Sequence, residues 1–172
     1  MSRGRRSAKV AYPAILGALS LVFLYIAGVA PSGTWGLVAL AGVFPAAAVI
    51  SVGIGSGFLC WGGVAVLAFL LLPGKFCALL YTVLFGLYPM VKAVIEGKRL
   101  RGVGYVLKLA FFNAAFTLIF VTMKAAVLGS LPDVLSGTWL IYLVGNIVFL
   151  LYDFGFGKLI GFYIARIGRS VK

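Results

Sequence analysis

Six apolar stretches, each about long enough to cross a bilayer, fill nearly all of the 172 residues, and the basic residues cluster in alternate connections between them. A spanning helix needs roughly 20 mostly apolar residues, within a range of about 17–25. On that rule helices are expected near 11–30, 35–52, 57–72, 76–95, 103–128 and 137–164. Turn chemistry marks the breaks: Pro31-Ser32-Gly33, the glycines between Ser51 and Gly57, Pro73-Gly74, Gly97 to Gly102, and Gly129 to Gly137 around Pro132. The third span is short, and a re-entrant segment around 52–57 is the alternative there to a simple loop. With 63% hydrophobic and 10% charged residues, a water-soluble fold of this size has no way to hide its apolar surface. Lipid as solvent removes that difficulty, because the outside of a bundle is then apolar too. The expectation is an all-α, polytopic membrane helical bundle, a single transmembrane domain over 1–172.

Charge sets the orientation. With a cytoplasmic N-terminus, 13 of the 15 Lys and Arg residues fall on the cytoplasmic side. They are Arg3, Arg5, Arg6 and Lys9, then Lys92, Lys98, Arg99, Arg101 and Lys108, then Lys158, Arg166, Arg169 and Lys172. Only Lys75 and Lys124 fall outside. Cytoplasmic enrichment of Lys and Arg is the rule that governs topology. Five spans would put the last basic cluster on the wrong side, so six spans with both termini cytoplasmic is the expected arrangement. The first stretch has a basic start and ends Gly28-Val29-Ala30, as a cleaved signal peptide does. Its apolar run exceeds the usual 7–15 residues and Pro31 would follow the cut, so it is read as a retained span. The net charge of +12 lies at segment ends rather than on a polar basic face, which argues against nucleic acid.

Polar residues at membrane depth need partners. At 1.5 Å per residue, Asn113 lies about 15 Å up the fifth helix and Asn146 about 13 Å down the sixth. Consecutive antiparallel helices thus carry two amides at similar depth, suited either to a helix–helix hydrogen bond or to the floor of a ligand cavity. Asp153, seven residues beyond Asn146, shares its helix face. An ion pair with Lys108 or Lys92 removes an isolated charge, and a proton relay is the rival role. Lys158 suits snorkelling to the inner interface. Trp35, Lys75, Tyr81, Lys124, Trp139 and Tyr142 sit near the outer face, as an interfacial belt or as the mouth of a pocket. Lys124 lies a full turn below its helix end, placed either to snorkel or to meet an anionic ligand group. Ala14 with Ala18, Gly53 with Gly57 and Gly157 with Gly161 are small-residue pairs that let helices approach closely.

Reactive groups are scarce. The chain has no histidine, and Glu96, Asp133 and Asp153 are its whole acidic inventory. An intramembrane aspartyl dyad needs a second buried aspartate. Metal-assisted transfer needs clustered carboxylates. The Gly53–Gly57 stretch lacks the Lys-Ser/Thr of a phosphate loop. Neither an enzyme nor a cofactor is expected. Cys60 and Cys77 read as small packing residues.

The length, six spans, basic N-terminus and the run Ala14-Ile15-Leu16-Gly17-Ala18 resemble the substrate-binding S components of energy-coupling factor transporters. Three further runs look like those of a small bacterial membrane-protein group of that class: Phe85-Gly86-Leu87-Tyr88-Pro89, Lys108 to Asn113, and Asn146 to Asp153. The resemblance implies a bacterial plasma-membrane module that captures a vitamin-like micronutrient on the outer side. It also implies docking, through Ala14 and Ala18 by position, onto a transmembrane partner coupled to ATPases. The family's pocket lies among helices four to six, which would recruit Lys124, Trp139, Tyr142 and Asn146, with Asn113 at the same depth. A structural or scaffolding protein of a bacterial envelope complex, binding no solute, is the competing expectation. It requires the intramembrane polar groups to satisfy one another, whereas capture requires Lys124 or Asn146 to face an outer pocket. A proton-coupled carrier resting on Asp153 is the third.

Overall fold

The computed structural model describes residues 3–98, 101–127 and 138–170, with side chains over 10–98, 102–123, 139 and 142–166. All regular structure among these residues is helical: α1 (Arg3–Val29), α2 (Thr34–Ala41), α3 (Val43–Val52), α4 (Ile54–Leu71), α5 (Lys75–Leu80), a π-helical turn (Tyr81–Phe85), α6 (Tyr88–Gly97), α7 (Arg101–Val127) and α8 (Thr138–Ser170). Six stretches are long and apolar enough to cross a membrane, the pattern of a multi-pass membrane protein. They run Val10–Val29, Thr34–Val52, Ile54–Leu71, Lys75–Gly97, Gly102–Met123 and Tyr142–Arg166. The turn expected over Gly129–Gly137 lies outside the described residues.

The core is apolar, yet many large apolar side chains also stand exposed. Leu70 is 71% exposed and Phe154 69%, while Ser20 is 0% and Asp153 6% exposed. Large apolar side chains turned outward with polar ones turned inward is what a hydrocarbon solvent selects.

The chain forms two compact units, Met1–Arg99 and Leu100–Lys172. In the first, α1 packs on α2, α3 and α4, and α3 packs on α4 and α6. The core uses small residues wherever backbones meet: Ala27, Ala41, Ala46, Ala48, Ala68 and Ala78 are buried. Gly57 is buried so tightly that a Cβ would collide with Val49, with Met90 Sδ 3.3 Å away. Cys60 and Cys77 are buried, free thiols. A single residue, Gly53, joins α3 to α4 at φ +119°, a conformation L side chains rarely adopt. The third span therefore begins at Ile54, not at Gly57 as expected, and is 18 residues long.

Two spans expected to be continuous are broken. In the second, α2 gives way to α3 at Gly42. Pro45 has no N–H, so the Ala41 carbonyl four residues earlier loses its helical donor. The buried Ser20 hydroxyl of α1 donates to that carbonyl at 2.9 Å. In the fourth, the Gly86 N–H reaches back five residues to the Tyr81 carbonyl at 2.7 Å, making the π turn. This withdraws the donor an α-helix would offer the Thr82 carbonyl, which instead accepts from Trp61 Nε1 of α4 at 3.0 Å. Pro89 likewise removes the donor four residues beyond Phe85. The backbone of Gly42 lies against that Phe85 carbonyl, so closely that a Cβ there would collide with its oxygen. Apolar run lengths hid these breaks, and Pro45 and Pro89 were the residues that marked them.

Candidate functional site

The sequence-selected polar residues concentrate in the second unit, on the seam between α7 and α8. On α7 the inward positions are Gly104, Lys108, Phe112, Ala115 and Ile119. Their spacing of three and four residues keeps one stripe facing a partner helix. On α8 the matching positions are Tyr142, Asn146, Phe149, Asp153 and Phe156. Each step up one helix meets a similar step down the other, which produces three layers.

The first layer is ionic. Lys108 Nζ lies 3.2 Å from Asp153 Oδ2 and 3.4 Å from Oδ1. Both residues are buried, at 7% and 6% exposed. The ammonium also sits 5.4 Å from the Tyr105 ring centroid. A buried pair of this kind offsets a desolvation cost that either charge alone would carry. Lys92, the other base considered for Asp153, makes a 3.1 Å ion pair with Glu96 one turn further along α6.

The second layer is aromatic. Phe112 stacks on Phe149 with centroids 4.5 Å apart and on Phe116 at 5.5 Å. Phe116 meets Tyr142 edge-on at 5.3 Å. Phe112 and Phe149 stand between the ionic layer and the amides.

The third layer is the amide pair. Asn113 Nδ2 donates to Asn146 Oδ1 at 2.9 Å, and Asn146 Nδ2 donates to Asn113 Oδ1 at 3.1 Å. Each Nδ2 spends its second hydrogen on its own helix, Asn113 on the Leu109 carbonyl and Asn146 on the Tyr142 carbonyl, both at 2.8 Å. A carboxamide has two N–H donors. All four are therefore committed within the protein. One turn further on, Thr117 Oγ1 and the Tyr142 hydroxyl are 2.7 Å apart. Replacing Asn146 with Leu is expected to lower stability by about 1 kcal/mol, because Asn113 keeps only its intrahelical bond. Unfolding in mixed detergent micelles measures this, and an Asn113→Leu/Asn146→Leu pair is expected to recover part of the loss.

Of the other residues singled out, Trp139 is 69% exposed, as an interfacial ring would be. The Lys124 side chain lies outside the described residues. In the first unit, Ala14 and Ala18 both face outward on α1. Gly17 between them faces inward, where a Cβ would stand 3.2 Å from Val64 Cγ2. The α1 face around the two alanines also exposes Ile15, Leu19 and Val22. Ser20 and Trp61, which close the two helix breaks, carried no role in the sequence reading. Comparison with protein-family models, with curated proteins and with solved structures gives no match.

Proposed function

We propose that the chain is a multi-pass bacterial plasma-membrane protein, with both termini cytoplasmic, that works by docking on another membrane protein through α1. The observation that carries this reading is the outward placement of Ala14 and Ala18 while Gly17 is spent on internal packing. Small side chains on an exposed face let a second helix approach closely, and dispersion then rewards the contact without any hydrophobic drive. In its fuller form the reading is substrate capture: a micronutrient-binding subunit that hands its cargo to an ATPase-coupled partner. The basic residues crowded at one side support the orientation.

A second reading, a scaffold of an envelope complex with no solute, draws support from the amide layer. Asn113 and Asn146 commit their donors to each other and to their own helices, as a purely structural pair does. Under capture, ligand contacts fall to Trp139, Tyr142 and Lys124 at the outer end, with the amides behind them.

Purification from native membranes in mild detergent, followed by mass spectrometry of proteins and small molecules, separates the two. ATPase subunits with a stoichiometric micronutrient support capture, and envelope-assembly proteins with no small molecule support the scaffold. Ala14→Leu/Ala18→Leu is expected to reduce the recovered partner about tenfold or more, since each added isobutyl group holds the helices apart. Unchanged recovery removes α1 as the docking face.

A further inference from the structure

The two broken spans of the first unit are copies of one device. Gly42-Val43-Phe44-Pro45 and Gly86-Leu87-Tyr88-Pro89 repeat the order glycine, aliphatic, aromatic, proline, 44 residues apart. Each break sits near the middle of its span, and at each one an opened carbonyl is closed by a side chain of the preceding span. Ser20 of α1 serves Ala41 and Trp61 of α4 serves Thr82, both across 21 residues of sequence. The two hairpins, α1 with α2–α3 and α4 with α5–α6, thus carry related closures, at the carbonyl four residues before Pro45 in the first and seven residues before Pro89 in the second. The breaks also touch, Gly42 against the Phe85 carbonyl, and the halves beyond them, α3 and α6, pack together. The Thr82 hydroxyl at this point is buried and makes no hydrogen bond among the described residues, while the buried Tyr81 hydroxyl lies beside Ser20.

We infer that the first unit is a tandem repeat of one capped, broken hairpin, and that the paired breaks form a joint about which α3 and α6 move together. Continuous helices resist bending because every turn shares several main-chain hydrogen bonds. At a proline or a π turn that resistance is lost locally. Here each gap keeps its glycine's main-chain bond and one side-chain bond, so fewer bonds than in a continuous helix have to yield for the halves to pivot. Contact between the breaks makes a bend at one a bend at both. The buried Thr82 hydroxyl is a cost of the arrangement described, which a second arrangement that pairs it would remove. The inference is independent of what the protein docks on.

Spin-label distance measurements on the full chain in liposomes test it. In a Cys60→Ala/Cys77→Ala background, labels at Gly36→Cys and Ile50→Cys span the first break, and labels at Ile50→Cys and Val94→Cys join the two inner halves. Two distance populations are expected for the first pair and one for the second. Pro45→Ala/Pro89→Ala is expected to merge the first pair into a single population. Should that variant fail to fold, Ser20→Ala keeps both prolines and is expected to shift the ratio of the two populations at least twofold. A single narrow distance across the break in the parent protein, unchanged by Ser20→Ala, overturns the joint.

Discussion

Replacing Asp153 with Ala is expected to destabilise the α7–α8 hairpin by about 3–5 kcal/mol, the cost of stranding a buried charge. The carboxylate that Lys108 contacts at 3.2 Å disappears, and the Tyr105 ring 5.4 Å away compensates weakly. Lys108→Met/Asp153→Leu is expected to lie much closer to the parent, because two apolar groups of similar size leave nothing to desolvate. That contrast separates the cost of a stranded charge from the net worth of the pair. Equilibrium unfolding in mixed micelles supplies both numbers. A single variant as stable as the parent would remove the ionic layer as a determinant of the hairpin, and equal losses in single and double variants would point to packing instead of charge.

The second large effect is expected at Gly42. Alanine there places a methyl group on the Phe85 carbonyl oxygen, a backbone atom with no side-chain rotamer to yield. Overpacking against rigid structure costs about 1–3 kcal/mol and occasionally more. Here the upper end is expected, about 3 kcal/mol, because the collision falls where both helix breaks meet. Gly36→Ala is the matched control. Gly36 is exposed on α2 with open space where its Cβ would stand, so alanine there is expected to be neutral or to stabilise by up to about 1 kcal/mol. Thermal unfolding of the two variants in one detergent decides the matter. Equal midpoints would mean that the contact between the breaks carries no weight.

Much of this was legible along the chain. The six apolar runs predicted the six spans to within three residues at most starts, since length and hydropathy are local properties that a bilayer reads directly. The depth arithmetic put Asn113 opposite Asn146 because two antiparallel helices of known rise leave little freedom in register. It offered Asp153 two bases at similar depth, and Lys108, on the neighbouring helix of the same unit, is seen paired with it. The breaks in the second and fourth spans were missed for an equally physical reason. Pro45 and Pro89 lie within runs of unbroken hydropathy, and hydropathy does not register a missing N–H.

Hydropathy was sufficient for the number of apolar stretches and their approximate ends, because it is summed residue by residue along the chain. Which side chain closes an opened carbonyl depends on contacts 21 residues apart, and on a glycine that lets two backbones meet. Nothing local marks Ser20 or Trp61 for that task. Their roles exist only once α1 and α4 are laid against the breaks, where a donor within 3.0 Å of an orphaned oxygen replaces the missing helical N–H.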